Sequence, residues 1–408
     1  MKQFLCKYSR AQLGDRLLVM GLCLYALCLF LPHVTALERT GLAVAVLISF
    51  FGGRWRACLG GLRHPLMGMT LGLIAWFALS CLWSVEATLT REAVVNIFKD
   101  YLLLLPPLFY MLADRERRRL FCLGLAWAGA VVVLLNAAQY LREYWTDPGL
   151  LDNIKLHRGW GHPLVLFIPF ALLQARLSRG TVAGGWYLLF VAETLMIFAT
   201  GARGAWLALF AIMILWLGHD CQRRRAAGIV VIGLLIAIAS YFLLPDFLVK
   251  DRLASGFSTS LRTTGTWGPA LQMLEERPLL GFGFGKEIFD REFNRRAPTE
   301  ESWSFKRSKG PHSIYLEAGF SAGYPALILL SLLFAVALFY GMEAARRGAT
   351  EEERGMALAC LAAFAGFYVT RGAFESVQWA PMILLLAPLV HFSLQVRGSE
   401  SARAFPQA

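Results

Sequence analysis

His312 stands in the run Gly310-Pro311-His312-Ser313-Ile314-Tyr315, at the seam between a polar stretch and a long apolar one. A neutral imidazole, which titrates at about 6.5 when unperturbed, can take a proton from a hydroxyl near neutral pH. Pro311-His312-Ser313 also reads as a helix start with a capping histidine, so residue type and place leave both roles open. Three arginines invite attention with it. Arg203, in Thr200-Gly201-Ala202-Arg203-Gly204-Ala205-Trp206-Leu207, interrupts two apolar runs with no charged neighbour. An arginine at membrane depth costs roughly 2.5–3.5 kcal/mol on insertion scales, and less in a tight turn at the membrane edge. It needs a partner, and Glu193, Glu375 or a ligand anion could supply one. Arg158, in His157-Arg158-Gly159-Trp160-Gly161-His162-Pro163, and Arg262, in Ser260-Leu261-Arg262-Thr263, complete the set. Guanidinium forks match phosphate oxygens in pairs, so arginines grouped with one histidine suit a lipid-linked phosphate or diphosphate. Each arginine equally suits a plainer role, as an orienting charge held by local salt bridges. Glu193 falls inside an apolar run and is therefore either functional or the buried partner of an arginine.

Other chemistries find no support. The chain has no Walker P-loop, no His-Glu-x-x-His and no Gly-x-Ser-x-Gly. Gly281-x-Gly283-x-Gly285 follows no strand and reads better as a turn that lets two elements pack closely than as a phosphate cradle. His157 and His162 form the one close histidine pair, without carboxylates at metal spacing, so neither a zinc nor an iron site is expected, and no cofactor is implied. His64, His219 and His391 sit near helix ends, where capping or snorkelling accounts for them.

The elements that must position these groups follow from composition. Of 408 residues, 57% are hydrophobic and only 17% charged, against roughly a quarter charged in a soluble protein. Mean hydropathy is +0.52. A cytosolic enzyme, a disulfide scaffold and a disordered chain are excluded. The net charge of +12 is scattered in short clusters between apolar runs, without a nucleic-acid motif, so no nucleic-acid partner is expected. The eight cysteines avoid the longest polar loop and read as inert core thiols. Apolar runs lie near 17–35, 40–53, 65–84, 101–113, 119–140, 162–178, 184–200, 204–219, 227–245, 313–342, 355–371 and 379–396. They predict an all-α polytopic protein of about twelve transmembrane helices, the first of them retained rather than cleaved. The linkers alternate in charge. One set, including Arg16, Arg54, Arg115, Arg117–Arg119, Arg176, Arg223–Arg225, Arg346 and Arg397, carries about 21 basic residues. The other, leaving out the long loop, carries about eight, among them Arg39, Arg142, Arg158, Arg203 and Arg371. The positive-inside rule makes the first set cytoplasmic, with both termini inside, and puts His312 and the three arginines on the outer side.

The chain therefore divides into transmembrane helices over 1–245, a large outer loop over 246–311, further transmembrane helices over 312–396 and a cytoplasmic tail over 397–408. Within the loop, Trp267, Ala270, Leu271 and Leu274 recur at helical spacing, and Pro278 ends the run. This amphipathic helix either lies at the membrane interface or roofs a site.

Taken together, the motifs resemble the bacterial O-antigen ligases, within the superfamily of O-antigen ligases and polymerases. Carrying the resemblance are Arg203-Gly204-Ala205-Trp206-Leu207; Arg262 with Trp267; Glu276-Arg277-Pro278-Leu279-Leu280-Gly281-Phe282-Gly283-Phe284-Gly285; and His312-Ser313-Ile314-Tyr315-Leu316-Glu317 before Gly319 and Gly323. Arg158 ahead of Gly161 and Pro163 also fits. Gly323-Tyr324-Pro325-Ala326 departs from the pattern at its last position and bears on the packing of that helix. The resemblance implies a GT-C-like membrane glycosyltransferase in the bacterial inner membrane, with its site facing the periplasm. It implies metal-independent, inverting transfer of O-antigen from undecaprenyl diphosphate to a sugar hydroxyl of lipid A–core. His312 would then be the general base, Arg203 and Arg262 the diphosphate-binding pair, and Arg158 a further contact. The same motifs serve a polymerase or a protein O-oligosaccharyltransferase with the same donor. A secondary transporter is the alternative from another class, but no half-to-half repeat is visible and the marked residues cluster at one face.

Overall fold

The computed structural model describes residues 10–29, 31, 34–146, 161–219 and 260–404. All regular elements among them are helical, and the protein is an all-α polytopic membrane protein. In chain order they are α1 (Arg10–Cys28), α2 (Thr35–Phe50), α3 (Ala57–Leu62), α4 (Pro65–Leu79), α5 (Ala87–Leu112) and α6 (Arg115–Thr146). Next come α7 (Leu164–Leu177), α8 (Gly180–Ala199), α9 (Arg203–His219), α10 (Ser260–Gly265), α11 (Trp267–Glu276) and α12 (Lys286–Arg296). The last three are α13 (Ile314–Arg347), α14 (Glu351–Phe364) and α15 (Met382–Ala404).

Among the described residues six helices are long and apolar enough to cross a membrane, or seven if α2 and the bent segment Arg54–Leu62 count as one span. Three shorter apolar helices accompany them: α7, α9 and the Met382–Gly398 part of α15. Eleven of the twelve apolar runs coincide with helices, and the run at 227–245 lies outside the described residues. The short run at 101–113 is the end of a longer helix, α5, whose first half is polar and whose apolar half tolerates Pro106 and Pro107. Small residues let the helices approach. A methyl group on Gly21 of α1 would stand 2.6 Å from the Gly41 carbonyl of α2, a clash that glycine avoids.

Among the described residues, two further breaks bear on the site. Gly323 in α13 adopts φ 73° and Ala322 φ −145°, so the chain leaves helical geometry and re-enters it before Pro325. The Ala322 carbonyl freed by the break accepts a hydrogen bond from Trp76 Nε1 at 2.9 Å. The glycine-rich turn lies against this gap. Phe282 N–H donates to Phe320 O at 2.9 Å, and Gly283 N–H to Ser321 O at 2.8 Å. Gly281 takes φ 66°, and a side chain there would collide with the Phe320 carbonyl. Close packing is thus the turn's role. The second break ends α14. A π-helical turn over Ala365–Thr370 runs into a 3-10 turn over Arg371–Ala373 before the chain re-enters the bundle at α15.

Helix α11 is the amphipathic helix expected in the loop, and Arg277 follows its last residue. Its buried face is Pro269, Ala270, Met273 and Leu274, whereas Leu271 is exposed. The buried stripe is therefore rotated from the expected one, because the helix rests on the first half of α13, with Leu274 against Gly319. All six cysteines among the described residues are free.

Candidate active site

The cluster is built around the segment that follows the break in α14. Phe374 N–H and Glu375 N–H both donate to the Arg371 carbonyl, which turns the chain and presents Phe374 and Glu375 together. His312 is the one non-glycine residue among those described with positive φ, at 49°. Gly310, at φ 80°, and Pro311 precede it, and Ser313 caps α13 by accepting from Leu316 N–H. Capping thus falls to Ser313, and the His312 side chain is left for other work. Backbone held in this sparsely populated region needs surrounding support. Trp267 of α11 supplies part of it by donating from Nε1 to the His312 carbonyl at 3.4 Å.

His312 Nδ1 lies 3.1 Å from Glu375 Oε2; the His312 side chain is 39% exposed and that of Glu375 18%. Burial pushes the Glu375 carboxyl up, but the His312 hydrogen bond and the charges of His162, His312 and Arg371 outweigh it, holding the group below the usual carboxylate range. A carboxylate can only accept, so Nδ1 carries the proton of this bond. In the neutral ring Nε2 then keeps its lone pair and can serve as a base. Arg371 is 6% exposed, lies over the Phe367 ring at 4.6 Å, and keeps a buried Nε without a hydrogen-bond partner among the described residues.

Arg262 joins the same cluster. Its guanidinium lies 4.8 Å from the Trp267 ring centre and 5.1 Å from that of Phe374, and these two rings stack on each other at 5.9 Å. Aromatic faces hold a cation in place. Arg203 opens α9, and its neighbour Gly204 lies so close that a methyl there would stand 3.1 Å from Phe374 Cβ. Three elements distant in sequence thereby meet at Phe374. Arg158 lies outside the described residues. Nearby, Gly161 packs against Thr200, bringing the α7 start to the turn that precedes Arg203.

Glu375 is the residue whose contact with His312 the sequence hid, since it reads there as one of three candidate partners for Arg203, with Glu193 and a ligand anion. The burial of Arg371 was hidden as well, since it reads there as an orienting charge. The signal available for both was an isolated charge between apolar runs, the same that marked Arg203. Glu193 is fully buried in α8, and neither of its oxygens has a hydrogen-bond partner among the described residues. It packs against Gly129 of α6. His64 does cap α4, its Nδ1 accepting from Leu66 N–H at 3.2 Å.

The fold and this cluster define a class: a polytopic helical membrane protein with a carboxylate-held imidazole beside an arginine stacked on aromatic rings. Two comparisons then point the same way as the motifs. Residues 188–331 match the family model for the O-antigen ligase. The chain is also 28% identical over 306 residues to an O-antigen ligase of Salmonella typhimurium (strain LT2), covering 71% of this chain and 72% of the relative. The matched family segment contains Arg203, Arg262 and His312, while Glu375 lies beyond it.

Proposed function

We propose that the protein is an O-antigen ligase that joins O-antigen polysaccharide to lipid A–core in lipopolysaccharide biosynthesis, a glycosyltransferase-type activity. The donor is undecaprenyl diphosphate-linked O-antigen and the acceptor a sugar hydroxyl of lipid A–core. The enzyme works in the bacterial inner membrane, with the 246–311 segment and the site facing the periplasm. The likeness to a ligase supports the reaction. What supports the residue roles is the meeting of His312, Glu375 and Arg262 with the Arg203 turn at Phe374.

The chemistry follows from those positions. His312 Nε2 takes the proton of the acceptor hydroxyl as its oxygen attacks the anomeric carbon. The bond from that carbon to the diphosphate oxygen breaks on the opposite face, so the centre inverts and undecaprenyl diphosphate departs with the electron pair. Arg203 and Arg262, with Arg158 as a further contact, offset the charge that develops on the diphosphate. Guanidinium groups thus do what a divalent cation does elsewhere, and the reaction proceeds without a metal. Glu375 keeps the ring oriented and stabilises the imidazolium that forms, as the carboxylate does in hydrolase triads.

The test is transfer by the purified chain from undecaprenyl diphosphate-linked O-antigen to rough lipopolysaccharide, which lacks O-antigen. His312→Ala should abolish it at unchanged protein level. Wild-type transfer by that variant would overturn the base assignment. In a deletion strain, surface lipopolysaccharide should lose all long-chain material while carrier-linked polymer accumulates. Retention of one repeat on the core would mean a polymerase.

A further inference from the structure

A cavity of about 750 Å3 opens beside α6, at the same end of the bundle as His312. The α6 face along it changes character toward the helix end. Val132 and Leu135 come first, with Asn136, Ala138 and Gln139 next, and Arg142, Glu143 and Thr146 last. Leu31 and Val34, from the α1–α2 connection, and Pro163, just ahead of α7, form the facing wall. At 1.5 Å per residue, Val132 to Thr146 spans about 21 Å, which matches half the thickness of a bilayer with its headgroups, about 20–22 Å. The lining thus has the depth and polarity gradient of one leaflet.

We infer that this groove binds the acceptor glycolipid, its acyl chain along Val132 and Leu135 and its sugar hydroxyls against Gln139, Arg142, Glu143 and Thr146. The inference rests on the proposed ligase reading. Charge selects the acceptor over the donor. Arg142 has Glu143 beside it, and Glu143 is itself tied to Gln139 by a 3.1 Å hydrogen bond. An amide, a hydroxyl and one charge of each sign suit sugar hydroxyls, whereas a diphosphate favours the cations at Arg203 and Arg262. Position agrees. Pro163 lines the groove, while the adjacent His162 acts electrostatically on Glu375. The turn at 161–163 therefore separates the groove from the cluster by one wall.

The experiment uses the full chain in lipid nanodiscs, with rough lipopolysaccharide as acceptor and undecaprenyl diphosphate-linked O-antigen as donor. Leu135→Trp and Gln139→Trp, at exposed positions that tolerate bulk, should raise the KM for rough lipopolysaccharide at least tenfold. The KM for the donor should stay within twofold. Unchanged KM for both substrates, or a rise confined to the donor, would overturn the inference. A second measurement needs no turnover. A photoreactive benzoylphenylalanine at position 135, in the His312→Ala background, should crosslink rough lipopolysaccharide in competition with excess phospholipid. Crosslinking of phospholipid alone would also overturn it. Acceptor crosslinking in a protein whose wild-type form transfers nothing would sink the ligase reading and leave the groove standing.

Discussion

The cluster where α6 begins and the cluster around Phe374 hold arginine in different ways. Where α6 begins, arginines are matched to carboxylates. Arg117 and Arg54 reach Asp15, Arg118 reaches Glu353, Arg119 reaches Glu352 and Arg176 reaches Glu351. The three glutamates open α14, where a helix N-terminus favours negative charge and Thr350 closes a capping box. In the other cluster the nearby carboxylate, Glu375, is engaged by an imidazole, and Arg262 rests on the faces of Trp267 and Phe374. One residue type is held by carboxylates in the first setting and by aromatic faces in the second. The lesson is that the company each arginine keeps separates residues that a count of basic residues treats alike.

That contrast can be broken or sharpened by substitution. The largest effect should come from His312→Ala, with kcat for glycan transfer reduced on the order of 10²–10⁴-fold, the usual worth of a general base. Retained kcat would remove the distinction between the clusters. Arg262→Ala and Arg203→Ala should each cost on the order of 10²-fold, with lysine restoring part of the rate. Full activity with a neutral residue at either position would make that arginine a staple like those where α6 begins.

Glu375→Gln should lower kcat less than loss of the histidine does, because the ring remains and only its orientation suffers. The same variant carries a pH signature. The folded-state carboxyl titrates below its ordinary value of about 4.3. Its stabilisation is therefore complete above that value and lost as pH falls through the folded-state one. Thermal denaturation of wild type in detergent should show Tm dropping across that acid window, and Glu375→Gln should flatten the drop. Parallel curves would argue against an ionised Glu375.

Arg118→Ala, at a side chain only 5% exposed, should destabilise the fold by about 3–5 kcal/mol, as breaking a buried pair does, yet leave kcat per folded molecule unchanged. Arg347→Ala should do least. Its contact to Glu343 is a surface i,i+4 pair worth about 0.3–0.5 kcal/mol, and neither Tm nor transfer should move measurably.

How far the sequence carried these conclusions depends on range. Apolar length and basic alternation are local properties, so the spans at 119–140 and 313–342 coincide with α6 and α13. The amphipathic helix before Pro278 was equally legible, although its buried face turned toward Met273 once α13 supplied a surface. Arg203, Arg262 and His312 stood out as polar groups beside apolar runs; Arg262 rests on Phe374, Gly204 next to Arg203 packs on it, and His312 bonds the adjacent Glu375. The engagement of His312 by Glu375 was not legible. Sixty-three positions separate them, and only the π-helical and 3-10 turns that end α14 bring the carboxylate round. The break in α13 left a trace in Gly323 and Pro325, but what passes through it was not foreseeable from either residue alone.

That break has a bearing on how large amphiphiles get in. With backbone bonds from residues 282 and 283 to 320 and 321, and Tyr324 N–H bonded to Pro278 O, the stretch after α11 is stitched into the membrane body. A segment sewn down in this manner does not swing away like a hatch over a chamber. On the proposed reading, cargo with a greasy tail slips in sideways between helices, never leaving the bilayer, and leaves by the same seam.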